Sequence, residues 1–165
     1  MIMPSGFPDW TPEGDTEETR RLFMRWLEGQ EADFPYPPDD SWKGRLLDLV
    51  EEFVHPDVIL HNVPVRRPGR DGWVEFLMGL GEAYPDSNTN YDIIMVDGNM
   101  AAARWHYTAT QMSSHFEHEA TGKKVRVEGV MFERFENGKI VEHWAMIDRL
   151  NWLQQLGLVD EEIQL

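Results

Sequence analysis

A two-residue turn near the C-terminal end limits what this chain can fold into more than any other feature. Asn137-Gly138 separates two β-patterned runs, Lys123 to Phe135 and Lys139 to Ile147. Asn-Gly is the strongest short hairpin signal, because both central residues of the tight turn need positive φ. The first run alternates for long enough to cross a wide sheet, and the second answers it. Asp148 is then a fair N-cap for a helix over Arg149 to Leu156, with Gly157 placed as its stop.

Upstream, the hydrophobic spacing predicts a helix from Thr16 to about Glu28, with Leu22, Phe23, Trp26 and Leu27 on one face and Gly29 ending it. Gln30 to Ser41 carries F-P-Y-P-P-D-D and is expected to be irregular. Ser41 is read as the cap of a second helix, Trp42 to Phe53, that ends at His55-Pro56. A short strand is predicted over Asp57 to Val63, a basic loop over Pro64 to Arg70 and a third helix over Asp71 to Ala83. Asn88 to Val96 and Asn99 to Met112 read as strands joined by a turn at Asp97-Gly98. Ala101, Ala103, Trp105, Tyr107 and Ala109 share one face of the latter strand. The order α-α-β-α-β-β-β-β-α implies an α+β fold with helices on one side of a curved, mostly antiparallel sheet.

The run E-N-G-K-I-V-E-H-W (Glu136 to Trp144), followed by Asp148 and L-Q-Q-L-G (Leu153 to Gly157), resembles the SnoaL-like polyketide cyclases. These belong to the cone-shaped α+β superfamily of ketosteroid isomerase, scytalone dehydratase and limonene-epoxide hydrolase. The resemblance extends to H-P-D-V-I-L-H (His55 to His61), G-R-D-G-W-V-E-F-L (Gly69 to Leu77), A-Y-P-D (Ala83 to Asp86), A-R-W (Ala103 to Trp105) and T-G-K-K-V (Thr121 to Val125). It implies a cone with three helices over the concave sheet face, a short C-terminal helix and chemistry without a cofactor. The domain organisation expected is an arm at 1–15, one cone domain over 16–159 with an acidic, Pro-rich insertion at 30–41, and a tail at 160–165. The insertion departs from the family pattern and is expected to lie near the cone mouth.

Fifteen basic against 30 acidic residues give a formal net charge of -15, which repels phosphate backbones and anionic lipid, so neither nucleic acid nor membrane is an expected partner. No run approaches the ~20 apolar residues of a membrane span, and the first residues lack the basic and apolar regions of a signal peptide. A cytoplasmic location is therefore expected. Zero cysteines exclude disulfides and thiol chemistry. The segment His115 to Glu119 offers His and carboxylate, but without the helical spacing of a zinc motif. No metal is expected.

The resemblance places the family's general acid/base at Ala145 and a second pocket position at Met131, neither of which can move a proton. The residues left for acid/base work are His143, which shares a face with Val141, Ala145 and Ile147, together with His61 and Asp148. A histidine suits that work at neutral pH. His143 also reads as a packed core histidine, His61 as a rim residue, and Asp148 most simply as a helix cap. Trp105, Tyr107, Met131, Ala145 and Phe76 are expected to bind an apolar or aromatic metabolite. Glu128, with Arg126 and Arg134, reads as a solvated cross-strand pair. Apolar residues on both strand faces, Val130, Phe132, Trp144 and Met146 against Val127, Met131 and Val141, point to a homodimer. The expected function is a small-molecule enzyme without cofactor, an isomerase, cyclase or (de)hydratase on an apolar or polycyclic metabolite, that uses histidine in place of the family aspartate. The alternative is a non-catalytic small-ligand-binding protein of the same fold.

Overall fold

A computed structural model describes residues 11–33, 39–115 and 118–160. Most of the expected arm (1–10), the Pro-rich centre of the insertion (34–38) and the end of the tail (161–165) lie outside the described residues. The elements run α1 (Thr16–Asp33), α2 (Trp42–Phe53), β1 (Val54–His61), α3 (Gly69–Ala83), β2 (Asn88–Asp97), β3 (Met100–Thr110), β4 (Lys124–Glu136), β5 (Lys139–Ile147) and α4 (Arg149–Leu156). The five strands form one mixed sheet in the order β1-β5-β4-β3-β2, antiparallel except where β1 runs parallel to β5. This is the expected α+β arrangement.

At the β4–β5 turn Asn137 has φ 50° and Gly138 φ 76°, and the strands pair outward from Glu136 and Lys139. The β2–β3 turn lies one residue later than its sequence suggested. Asp97 pairs with Met100, so Gly98 and Asn99 are the central residues, and Gly98 alone has positive φ. Asp148 caps α4 through a bond from the Asn151 amide at 3.0 Å, and Gly157 closes it in the left-handed conformation.

Other boundaries moved for identifiable reasons. Helix α1 continues past Gly29, because that glycine serves close helix packing rather than a stop: a Cβ there would lie 2.3 Å from the Leu49 Cδ1 on α2. Strand β1 starts at Val54 and contains Pro56. This edge strand tolerates a missing amide, and its register with β5 shifts between Val54 and Ile59. Ser41 occupies the N-cap of α2 without a side-chain cap bond. Its amide and hydroxyl instead donate to Asp39, whose carboxyl these bonds and Arg45 hold below the usual range. In β5 a register shift beside Arg134 and Phe135 leaves Val141 unpaired, so Ile140 rather than Val141 joins the buried face.

Phe23, Trp26 and Leu27 of α1 pack with Leu46, Val50 and Phe53 of α2 and with the sheet residues Val127, Phe135 and Ile140. Trp26 meets Trp73 edge-on at 5.6 Å, and Phe23 meets Phe135 at 6.3 Å. These bulky contacts fix the helices at one end of the sheet. No helix among the described residues is long and apolar enough to cross a membrane.

Because an alanine at position 138 would have to hold φ 76°, Gly138→Ala is expected to lower stability by about 1 kcal/mol or more. Urea unfolding of the two proteins measures it, and equal midpoints would show that the turn does not need its left-handed residue.

Candidate active site

The inward face of β4 reads Val125, Val127, Gly129, Met131, Glu133, Phe135. All its apolar side chains are buried, and so is Glu133, at 0% exposure. A carboxyl group rarely occupies such a position without a partner. Here the register of β4 with β5 sets Glu133 opposite His143 and Met131 opposite Ala145. The His143 Nδ1 lies 3.0 Å from Glu133 Oε1, and the ring, only 7% exposed, packs on Trp73 of α3 at 4.5 Å. A carboxylate in that place accepts from a ring whose proton is on Nδ1. Among the described residues the one hydrogen bond of the ring is this one, through Nδ1 and not Nε2, and the buried Glu133 Oε2 has no partner either.

This pair stands in the wall of a cavity of about 180 Å³. Phe76, Leu77 and Leu80 of α3 face Trp105 and Tyr107 of β3 and Met131, Ala145 and Ile147 of β4 and β5 across it. Polar groups are few: Gln30, Asn62, Ser87 and Thr89 join the pair and the tyrosines. An apolar chamber with sparse, convergent polar atoms is the usual form of a small-molecule site.

A box of aromatic rings forms another part of the cavity wall. Tyr84, Tyr107 and Trp152 line it, with ring centroids 5.7 to 6.4 Å apart. Trp105 stacks on Tyr107 at 5.8 Å and 9°. Burial pushes the Tyr84 phenol up to about 12, with Trp152 offsetting part of the rise. Burial, reinforced by Tyr84, also raises the Tyr107 phenol. Half-buried His115 packs against Tyr84 and Trp152, each at 5.4 Å, and burial lowers its pKa to about 4.

The family model described as SnoaL-like polyketide cyclase matches residues 38–156. The chain belongs to that family. Among solved structures, TsrD from Streptomyces laurentii superposes with a TM-score of 0.71 at 21% identity, over 89% of this chain and 100% of the other. AclR from Streptomyces galilaeus gives 0.70 at 23%, over 89% of each chain. A SnoaL-like polyketide cyclase from Agrobacterium tumefaciens gives 0.65 at 22%, over 84% of this chain and 98% of that one. Identities at this level carry the shared cone fold. No curated protein matches the sequence.

Against the SnoaL-like pattern, the two positions that lack a proton-carrying side chain, Ala145 and Met131, are opposite each other in the cavity wall. Glu133 and His143 are also opposite each other, one inward step further along the same strands. Of the sequence-predicted residues, His143, Trp105, Tyr107, Met131, Ala145 and Phe76 line the cavity. His61 does not. Its register partner is Trp144, on which its ring stacks at 4.9 Å, and its Nε2 lies 2.8 Å from Glu142 on the outer sheet face. Asp148 is also outside the cavity wall, its side chain occupied in capping α4, so the group that orients His143 is Glu133. Glu128 pairs with Arg104 and Arg126 on the outer face, whereas Arg134 pairs with Glu142 and Glu136. Glu133 was missed, although its phase with Val127, Met131 and Phe135 was a readable signal. Tyr84, just past the end of α3, left no comparable trace.

The lowered His115 pKa makes stability depend on pH. Between about 4 and its ordinary value of 6.5, the unfolded chain binds a proton that the folded chain refuses. Stability contributed by the neutral ring is complete above that window and falls as pH drops through it. Replacing His115 with Phe, which keeps a ring against Tyr84 and Trp152, is expected to flatten this part of the profile. Chemical denaturation from pH 7 to pH 4 reads the slope, and an unchanged slope in the variant would acquit His115.

Proposed function

We propose that this protein is a cofactor-independent enzyme of the isomerase, cyclase or (de)hydratase type, acting on a small apolar, ring-shaped metabolite with His143 as acid/base. The observation that carries this reading is the buried Glu133–His143 pair in the wall of an apolar cavity. With Nδ1 held by the carboxylate, Nε2 keeps its lone pair for the substrate. Nε2 takes a proton from carbon next to a carbonyl, and the C–H electron pair moves into the enolate. The imidazolium, stabilised by Glu133, then returns the proton: to another carbon in an isomerisation, to the new alkoxide in an aldol closure, or to a departing hydroxyl that leaves as water.

Incubation with a cellular metabolite extract, read by mass spectrometry, tests this for any substrate the extract contains. The expected products keep the substrate's mass or differ from it by one water. His143→Gln is expected to slow their formation by about a hundredfold to ten-thousandfold, the range for a general acid/base. Glu133→Gln should slow it less, since an amide still occupies the carboxylate's place. A His143→Gln protein that turns over at the wild-type rate sinks the proposal. The absence of proton-carrying groups at Ala145 and Met131 favours a second reading, a ligand-binding protein without catalysis, which predicts bound metabolite and no turnover in either protein.

The partner we propose beyond the ligand is a second copy of the chain, met through the outer face of the sheet. Met95, Ala102, Phe132 and Trp144 form one row across four strands, with Met95 67% and Phe132 46% exposed. Ile93, Val130 and Met146 make the adjacent row. Arg104 stands in that second row between Ile93 and Val130, and it, Arg126 and Arg134 are paired with Asp92, Glu128, Glu136 and Glu142. In a chain of net charge -15, this face is close to neutral, so two copies can meet there with little repulsion while covering apolar surface. Sedimentation is expected to give a dimer for the wild type and a monomer for Phe132→Glu. A wild type that sediments as a monomer at micromolar concentration rules the pairing out.

A further inference from the structure

Two pairs of polar residues in the cavity wall, Glu133 with His143 and Tyr84 with Tyr107, are attached to backbone positions far apart along α3 and β4, and that separation bears on the ligand. Trp73 packs on His143, and Tyr84 packs on Tyr107. From Trp73 to Tyr84 is about 16 Å of helix rise. The sheet gives an independent measure. Glu133 stands opposite His143 on β5, and Val127 opposite Tyr107 on β3; the β4 segment between them extends about 20 Å. The wall they share includes Leu77, Leu80, Trp105, Met131 and Ile147, none of which carries a charge.

In the second pair the Tyr107 hydroxyl is buried and has no hydrogen-bond partner among the described residues. A buried donor left unpaired is costly, and in a cavity wall it marks a place where a ligand atom completes the bond. The Tyr84 hydroxyl is buried in the same box. No Lys or Arg lines the cavity among the described residues, so a carboxylate or phosphate placed there would be desolvated without a counter-charge. A neutral acceptor has no such penalty.

We propose that Tyr107, with Tyr84 beside it, is a ligand-anchoring subsite that binds a neutral carbonyl or ether oxygen at the end of an elongated molecule whose other end reaches Glu133 and His143. The ligand is thus a rigid, mainly apolar molecule with an acceptor oxygen at one end and an ionisable or protic group at the other. The raised phenol pKa values agree with this, since both tyrosines stay protonated donors at any physiological pH. The proposal rests on the reading of the cavity as a small-molecule site, but it does not require that His143 catalyses a reaction.

A pair of probes isolates the anchoring oxygen: 6-acetyl-2-naphthol, with a hydroxyl at one end and a carbonyl at the other, and 6-ethyl-2-naphthol, in which a methylene replaces the carbonyl. Quenching of the cavity tryptophans, among them Trp105 and Trp152, measures their binding. The wild type is expected to prefer the acetyl probe roughly tenfold, the worth of one buried neutral hydrogen bond. Tyr107→Phe, which keeps the ring stacked on Trp105, is expected to erase that preference while leaving affinity for the ethyl probe unchanged. Tyr84→Phe should reduce it in part. Matching thermal unfolding curves confirm that the variants are folded. His143→Gln should keep the preference, which separates failure of this anchor from failure of the catalytic reading. A wild type that binds the probes equally, or binds neither, overturns the proposal, as does a Tyr107→Phe protein that still prefers the ketone.

Discussion

Because side chains alternate from face to face along a strand, the pairing of β4 with β5 decides which residues meet inside the cone. That pairing is pinned by the Asn137–Gly138 turn, where both residues hold positive φ. A slip of β5 by one residue would turn His143 to the outer face, away from Glu133, and bring Trp144 inward in its place. The extra residue at Val141 has the opposite local effect. It absorbs one position, so that Ile140 stays under α1 and α2 while His143 remains in phase with Ala145. The chemistry of the cavity therefore depends on backbone geometry at two places that never touch a ligand.

The Glu133–His143 pair is expensive to bury, and its surroundings explain why it is held so firmly. Carboxylate and imidazole both lose hydration, and a single contact at 3.0 Å replaces it. Removing one partner would leave the other stranded, the case in which buried polar pairs matter most. Trp73 packs against the imidazole ring at 4.5 Å. Glu133 Oε2 is buried without a hydrogen-bond partner, and His143 Nε2 makes no hydrogen bond among the described residues. Structural ion pairs on the outer face show a contrasting pattern: Arg104, Arg134 and Glu128 each have two partners.

Local signals in the sequence were enough for the architecture. The Asn-Gly turn, the Asp148 cap, the Gly157 stop and the alternation of β3 each depend on nearest neighbours, and each was legible. Features set by contacts between distant segments were not. Gly29 looks like a helix end until Leu49 is known to lie against it. Pro56 looks like a strand breaker until β1 is known to be an edge. His61 and His143 look like a pair, because both are histidines at strand positions the family resemblance points to. Only the parallel β1–β5 register, His61 beside Trp144 and Leu60 beside His143, puts them on opposite faces. Glu133 is the instructive omission: its phase was visible, but a charged side chain at a buried phase reads as a pattern error until its partner is found.

Under the proposed function, having the proton-carrying groups at Glu133 and His143 rather than at Met131 and Ala145 changes more than residue identity. It shifts the polar centre by one inward step along both strands, about 7 Å, away from the Tyr84–Tyr107 box. Small, neutral Ala145 and flexible Met131 then become wall. The apolar span between the two polar pairs is then longer by that step. On this view the alanine at position 145 is compatible with catalysis. Ala145 and His143 line the same cavity, and under the proposed function a small side chain at 145 would leave room for a molecule reaching the histidine, whose length would then follow from strand phase.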